Sequence, residues 1–229
     1  LYKLIVDVYP SSQHTLHPRA TQELKKMKPT TTTTNVFAIF LVFAFISIHL
    51  PSLATALVDI DGNLVRNGGS YYILPVMRGN GGGIGRTATG NETCPLTVVQ
   101  QRSEVDNGIP VVISSPFRIG FLKEGLPLEL SFPFVPLCTP TPSKWTLVKS
   151  LPEGAGVKLT GFYENEVSGF FEIRKQLDFY KLSFCASSNE NCMDIGVHRD
   201  DEGNRLLVAT DGNPFLVMFK SADSFAYSA

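Results

Sequence analysis

Short strand-forming runs separated by turn residues constrain the fold of this chain more than any other feature of its sequence. Between residues 57 and 229, runs rich in Val, Ile, Leu, Phe, Tyr and Thr recur, and Gly, Pro, Asn and Asp separate them. No stretch shows a sustained helical period. Twelve short strands at this spacing predict an all-β barrel or sandwich. The predicted strands lie near 70–76, 95–101, 109–114, 117–122, 127–133, 144–149, 156–161, 168–174, 178–185, 194–198, 205–209 and 215–220.

Three similar segments indicate an internal repeat. The stretches LTVVQ (96–100), WTLVK (145–149) and YKLSF (180–184) each begin a comparable piece of sequence. A barrel closed around three such units would leave few strand edges exposed. The repeat therefore favours a closed barrel, although short strands also resemble one another by composition.

The N-terminal part of the chain has the features of an export signal. A lysine-rich flank, an apolar run over 36–50 and the small-residue end Ala54-Thr55-Ala56 follow one another as in a secretory signal peptide. The run is shorter than the roughly 20 residues of a transmembrane helix, and a buried helix or short anchor is the alternative. The predicted segments are a leader outside the protein proper (1–26), a signal peptide (27–56) and one folded domain (57–229).

The composition of 57–229 argues against several kinds of partner. Its acidic residues slightly outnumber its basic ones, so nothing indicates nucleic-acid binding. Once the signal segment is removed, we expect no membrane partner and no cofactor. We also expect a monomer.

All four cysteines lie in the predicted domain. An even number of cysteines in an exported chain predicts disulfides, with three possible connectivities. Cys185 and Cys192 are close in sequence and bracket a polar turn, so we expect the pairs Cys185–Cys192 and Cys94–Cys138. A zinc site is the alternative, but no Cys-x-x-Cys spacing supports it. In an exported chain, Asn91 of Asn-Glu-Thr is a predicted N-glycosylation acceptor.

Two glycine-containing motifs resemble ligand loops without the residues that such loops need. RGNGGGIGRTA (78–88) resembles a phosphate-binding loop, but a sequon and a Cys-Pro step follow it where a helix should begin. We interpret it as a flexible hairpin tip. DIDGNL (59–64) begins like a calcium loop but lacks the glycine and the glutamate at the required positions.

The histidine content argues against an enzyme. His198 is the only histidine after residue 56, and its charged neighbours suggest an exposed turn. A serine triad needs a histidine held by a carboxylate and facing a nucleophile, and no Gly-x-Ser-x-Gly motif is present. Paired carboxylates are possible in principle, but the acidic residues cluster in turns. We therefore predict that the protein is not an enzyme, and we interpret Trp145 as a core residue rather than a sugar-stacking site.

The order of motifs resembles the plant Kunitz-type (soybean trypsin inhibitor-like) family. The resemblance begins with LVDIDGNLVRNGGSYYIL (57–74) and continues through GIPVVISSPFRIGF (108–121) and KWTLVKSLPEGAGVKL (144–159). YKLSFC (180–185) and RLLVATDGNPFLVMF (205–219) extend it toward the end of the chain. It implies a β-trefoil, in which six strands close a barrel and six form a hairpin cap, in three pseudo-repeats. It also implies the cysteine pairing given above.

The resemblance also implies a function and the residues that carry it. Inhibitors of this family present a reactive bond in a loop after a Ser-Pro step, and the matching bond here is Arg118–Ile119. The other residues matched to the protease-binding loop are Ser115, Pro116, Phe117 and Gly120, and Asn67 matches an asparagine that supports the loop from beneath. Gly120 departs from the bulkier residue that active relatives often have. The expected partners are trypsin-like serine proteases.

A second interpretation shares the fold but not the target. The chain is then a storage or defence protein that inhibits an amylase or a cysteine protease, or whose loop is inactive. The basic residue next to an apolar one at 118–119 favours the first interpretation. In either case we expect export, to the outside of the cell or to a vacuole.

Overall fold

All the regular structure among the described residues of this protein is β. The structure, a computed structural model, describes residues 55–134, 137–138, 143–187 and 192–222, and these residues contain no helix. The predicted leader (1–26) and most of the predicted signal peptide (27–56) lie outside them. No described helix could therefore cross a membrane. Thirteen strands follow one another in the described part: β1 Gly69–Pro75, β2 Ile84–Thr87, β3 Thr97–Gln100, β4 Val111–Ser114, β5 Glu129–Phe132, β6 Ser143–Leu151, β7 Gly154–Leu159, β8 Glu166–Val167, β9 Gly169–Gln176, β10 Phe179–Ala186, β11 Cys192–Arg199, β12 Arg205–Thr210 and β13 Leu216–Ser221.

The strands pair into a sheet that closes on itself. From β1 the antiparallel pairs run through β4, β5, β6 and β7 to β12, and from there through β11, β10 and β13 back to β1. The strands β3, β8 and β9 pair with members of this ring, and β2 pairs with β3. Closure removes most free strand edges, as the three-unit repeat predicted. The fold is a β-trefoil, as predicted.

The core lies inside the closed sheet and is built from the alternate residues of its strands. Ile73 and Phe219, on paired strands, are fully buried. Trp145 packs between two phenylalanines, tilted against Phe132 (ring centroids 5.2 Å apart) and edge-on to Phe171 (6.2 Å). The interpretation of Trp145 as a core residue is therefore confirmed.

Two strands were missed from the sequence, and one predicted strand is wrong. β8 is only two residues long, and β2 lies in the glycine-rich stretch that we interpreted as a flexible tip. Four of its five glycines are buried, and a Cβ on Gly82 would lie 2.2 Å from the carbonyl oxygens of Ser103 and Asp106. The predicted strand 117–122 is instead part of a long connection between β4 and β5. Its apolar composition resembles a strand, but its backbone bonds to parts of the protein far away in sequence.

Three short segments outside the strands form a closed triangle of hydrogen bonds. Leu57 N donates to Leu122 O (3.0 Å), Leu122 N donates to Val65 O (2.8 Å), and Val65 N donates to Leu57 O (2.9 Å). All three side chains are fully buried in the core. The triangle fixes the chain just before Asn67 to the chain just after Gly120.

A buried ionic cluster fixes a second segment, 88–93, to the sheet. The carboxylate of Glu92 accepts hydrogen bonds from Lys158 Nζ (3.0 Å), Thr97 Oγ1 (2.8 Å), Thr89 N (2.9 Å) and the hydroxyl of Tyr163. The side chains of Lys158 and Glu92 are only 5% and 10% exposed. Burial alone would raise the pKa of Glu92, but the hydrogen bonds from these partners outweigh it and hold that pKa below its ordinary value. We call these residues the Glu92 cluster.

Candidate functional site

The connection between β4 and β5 presents the residues matched to a protease-binding loop at the surface. Pro116, Phe117, Arg118 and Gly120 are exposed. Ile119 is partly buried and packs against the core. Its side chain therefore anchors one end of a bond whose other residue, Arg118, faces solvent.

Asn67 lies beneath this loop and binds it at several points. Its Nδ2 donates to the carbonyl oxygens of Phe117 and Ile119, both at 3.1 Å, and more weakly to that of Ser115 at 3.4 Å. Its Oδ1 accepts from Ser115 N at 2.7 Å, and its own backbone N donates to Gly120 O at 3.0 Å. One side chain thus holds the backbone on both sides of the Arg118–Ile119 bond.

The loop backbone also makes a bond within itself. Ile119 N donates to Phe117 O at 2.9 Å, which places Arg118 at the centre of a three-residue turn. Among the described residues, Arg118 has no hydrogen-bond or ion-pair partner. Its guanidinium is therefore free to enter a binding pocket on another molecule.

The proline and glycine of the loop have opposite effects on its freedom. Pro116 fixes its φ angle near −65° and limits the conformations of the residue before it. Gly120 lies in open space, since a Cβ there would meet nothing within 4 Å. The structure therefore gives no steric reason for a glycine at this position.

Two disulfides are present, and they link the pairs expected from the sequence. Cys94 joins Cys138, and the loop lies in the chain between them. Cys185 joins Cys192 across the neighbouring strands β10 and β11. Asn91, the predicted glycosylation acceptor, is exposed.

The described residues do not assemble a catalytic or metal site. His198 is exposed near the end of β11, within a strand rather than in the turn we expected, and its imidazole makes no hydrogen bond to another described residue. Glu172 lies near Cys185 and Cys192, but those sulfurs form a disulfide and the carboxylate pairs with Arg174. Neither group offers the free ligands or the polarised nucleophile that such chemistry needs.

The contacts of the two polar side chains that hold loops were not predictable from local sequence. The role of Asn67 followed only from the family resemblance, and Glu92 was noted only as the middle residue of the sequon. The loop segments that Asn67 binds lie 48 or more residues away, and Glu92 binds Lys158 and Tyr163 across 66 and 71 residues, in addition to the nearby Thr89 and Thr97. A buried lysine in β7, Lys158, was the available signal, since a lysine at a buried strand position needs a counter-ion.

Comparisons with known proteins agree with this geometry. The legume Kunitz family model, described as trypsin and protease inhibitor, matches residues 57–221. Trypsin inhibitor A of Glycine max is 43% identical over 199 residues, covering 82% of this chain and 91% of that protein. Trypsin inhibitor 1B of Erythrina variegata is 42% identical over 175 residues, covering 73% and 99%.

Solved structures give the same result. The soybean trypsin inhibitor in complex with porcine pancreatic trypsin is 42% identical, with a TM-score of 0.68, and covers 73% of this chain and 99% of that one. A Kunitz-type trypsin inhibitor from Cicer arietinum is 37% identical, with a TM-score of 0.69 and coverages of 73% and 99%. These relatives are inhibitors, in agreement with the prediction that this protein is not an enzyme. The fold, the sequence match and the presented loop together show that the chain belongs to the Kunitz-type family of trypsin and protease inhibitors.

Proposed function

We propose that this protein inhibits trypsin-like serine proteases by a substrate-like mechanism, with Arg118–Ile119 as the reactive bond. One observation carries the assignment of the bond. Asn67 donates hydrogen bonds to the carbonyl oxygens of Phe117 and Ile119, on either side of Arg118, while the arginine itself is exposed. The protein holds the backbone of this bond and leaves its side chain to a partner.

The chemistry of arginine fits the specificity pocket of trypsin. That pocket has an aspartate at its base, and a planar guanidinium on a long stem can reach it and form multidentate hydrogen bonds. The loop is already ordered by Asn67 and Pro116, so little conformational entropy is lost on binding. Affinity then comes from a pre-formed substrate shape rather than from a large rearrangement.

The same hydrogen bonds make cleavage of the bond reversible. If the protease cuts between Arg118 and Ile119, Asn67 still binds the carbonyl oxygens of Phe117 and Ile119. The Cys94–Cys138 disulfide keeps the two pieces covalently joined. The new amine therefore remains at a high effective concentration next to the acyl group, which favours re-formation of the bond.

We further propose that the protein is exported through the secretory pathway, to the outside of the cell or to a vacuole. Two disulfides and the signal-like pattern of 27–56 support this. The structure pairs Ala56 with Lys123, a bridge that a chain starting at Leu57 would lack. Intact mass spectrometry of the natural protein should give a chain starting at or near Leu57, and a chain retaining 36–50 would contradict the proposal.

The function is tested by titrating trypsin with the wild type and variants at position 118. Arg118→Ala should weaken inhibition by roughly thirtyfold to a thousandfold, because it removes the central anchor of the interface. Arg118→Lys should retain most of the affinity, since it keeps the charge. Arg118→Leu should shift preference to chymotrypsin, whose pocket is apolar. Because Arg118 has no structural partner among the described residues, thermal unfolding should be unchanged in all three.

A matched control uses another exposed cation. Lys123→Ala removes a positive charge five residues after Arg118 and should change the inhibition constant less than twofold. If Arg118→Ala inhibits trypsin as well as the wild type does, the reactive bond lies elsewhere. Lys123 would be the next candidate, followed by Arg102, whose guanidinium is already bound to Glu202 O and Asn204 Oδ1.

A further inference from the structure

An apolar surface lies directly beside the loop. Val58 pairs with Leu64, and Arg66 pairs with Phe121, in isolated antiparallel bridges. Paired residues project to the same side, as do residues two apart such as Leu64 and Arg66. The four side chains therefore share one surface, which we call the flanking face. Their neighbours in sequence, Leu57, Val65 and Leu122, project to the other side, into the core.

The flanking face is unusual for its exposed apolar content. Val58, Leu64 and Phe121 are 38%, 42% and 45% exposed. Adjacent exposed apolar side chains on a soluble protein commonly mark a contact surface, whereas single ones do not. Val105 is exposed too, but it lies in the connection between β3 and β4 rather than in this bridged arrangement.

The size of protein interfaces requires contacts beyond the loop. A stable interface involves roughly 20–30 residues on each side, and the loop 115–120 supplies six. The flanking face adjoins that loop on two sides. Phe121 directly follows Gly120, the last loop residue, and Arg66 directly precedes Asn67, which binds the loop from beneath. The hydrogen-bond triangle of Leu57, Val65 and Leu122 holds the flanking face rigidly in place. It is thus an ordered apolar surface next to the proposed reactive bond.

We propose that the flanking face is a second protease-contacting site, on the side of the residues that follow the reactive bond. This inference rests on the proposed function and adds selectivity to it. Val58, Leu64 and Phe121 would pack on apolar side chains at the rim of the protease cleft. Arg66 would favour proteases with an acidic residue beside that rim. Proteases with the same arginine pocket but a polar or basic rim would bind less tightly.

The test replaces the apolar groups without adding charge. A Val58→Thr/Leu64→Asn double variant keeps side-chain size close to the original, and neither residue lies in the loop. We expect its inhibition constant for trypsin to rise about five- to twentyfold, mostly through faster dissociation. The matched control is Val105→Thr, at a valine that is 90% exposed and outside the face. The control should remain within twofold of the wild type.

Two further measurements separate contact from indirect effects. If the double variant merely loosened the loop, trypsin would cleave the 118–119 bond faster, so an unchanged cleavage rate supports a direct contact. In an Arg118→Ala background the double variant should weaken binding by the same factor again, because the two sites touch different parts of the protease.

Three results would contradict the assignment of the flanking face to the protease. Unchanged inhibition by the double variant, with a wild type that inhibits trypsin, overturns the second site and leaves the proposed function intact. A wild type that does not inhibit trypsin contradicts the proposed function and, with it, the protease as occupant. Sedimentation velocity tests the other occupant: a wild-type dimer that the double variant dissociates would assign the face to a second copy of this chain and overturn the proposal.

Discussion

Asn67 and Glu92 hold two loops by the same means and with different results. Each places one side chain where several hydrogen bonds from other segments converge. Asn67 is neutral and half-buried beneath its loop, and that loop keeps Arg118 and Phe117 exposed. Glu92 is charged and almost buried, and its partner Lys158 is buried with it.

The difference separates two jobs that a loop anchor can perform. The Glu92 cluster ties a segment to the sheet and neutralises a buried cation, so its loss should lower the stability of the whole fold. Asn67 mainly orders the backbone of the exposed loop that we propose the protease recognises, so its loss should lower affinity and resistance to cleavage. Substitutions at the two residues should therefore have different effects.

The largest effect is expected from Glu92→Ala. It would leave Lys158 buried with only Glu153, at 3.8 Å, as a counter-ion. Removing one partner of a buried ion pair commonly destabilises a protein by about 3–5 kcal/mol. Urea unfolding should show that loss, while the inhibition constant of the folded fraction should change less than twofold.

An exposed ion pair provides the control for this prediction. Glu129 pairs with Lys144, but their side chains are 46% and 39% exposed. Glu129→Ala should lower the free energy of unfolding by no more than about 1 kcal/mol. Equal losses in the two variants would show that the burial of the Glu92 cluster is not what stabilises the fold.

Acid should also lower the free energy of unfolding through Glu92, by a smaller amount than Glu92→Ala does. Because the pKa of Glu92 in the folded protein lies below its ordinary value, its ionised form stabilises the fold above that ordinary value, and this contribution is lost as pH falls through the folded pKa. Unfolding free energies of the wild type and Glu92→Gln, measured from pH 7 to pH 2, should therefore converge as the pH falls. A constant difference across that range would contradict the assignment.

Asn67→Ala should act on the loop rather than on the fold. It removes the donor to the carbonyl oxygens of Phe117 and Ile119, a change of about 1–3 kcal/mol, or roughly five- to hundredfold in the inhibition constant. Trypsin should also cleave the 118–119 bond faster, so that inhibition becomes transient. Asn67→Asp, which keeps the acceptor for Ser115 N but lacks the donor, should behave like the alanine variant. If Asn67→Asp instead inhibits like the wild type, the donated bonds do not order the loop.

The smallest expected effect is a gain in affinity for trypsin from Gly120→Ala. Gly120 does not have a positive φ, and a Cβ there has open space. Alanine should restrict the free loop and tighten inhibition by about 0.4–1 kcal/mol, which is about two- to fivefold. Gly125→Ala is the contrasting control, because Gly125 has a φ of 68° that disfavours alanine. Weaker inhibition by Gly120→Ala would show that the loop needs glycine's freedom during binding.

The sequence predicted those parts of the fold that depend on local pattern. Alternating apolar residues and turn residues predicted eleven of the described strands closely enough to place the barrel. β2 was missed because glycines that permit close backbone contact look the same in sequence as glycines that permit flexibility. The false strand at 117–122 has the apolar composition of a strand, but its hydrogen-bond partners are distant segments.

In the candidate site, too, the sequence predicted what depends on local pattern and missed the contacts between distant segments. Arg118 could be named from the sequence because its proposed role requires only exposure and a position in a loop with a recognisable sequence. The multiple bonds of Asn67 and the Glu92 cluster depend on segments that fold together from distant parts of the chain. No local pattern encodes such contacts, so the residues alone did not reveal them, and the family resemblance implied only the supporting role of Asn67.

The lack of a bonded partner for Arg118 among the described residues has a consequence for how such proteins diversify. A residue without internal partners can be replaced with no penalty to folding, so mutations there are filtered only by the enzymes that the protein meets. After gene duplication, two copies could keep an identical barrel and diverge in target through one codon. The slow-changing scaffold and the fast-changing tip would then record different histories, the first of descent and the second of the proteases that each copy meets.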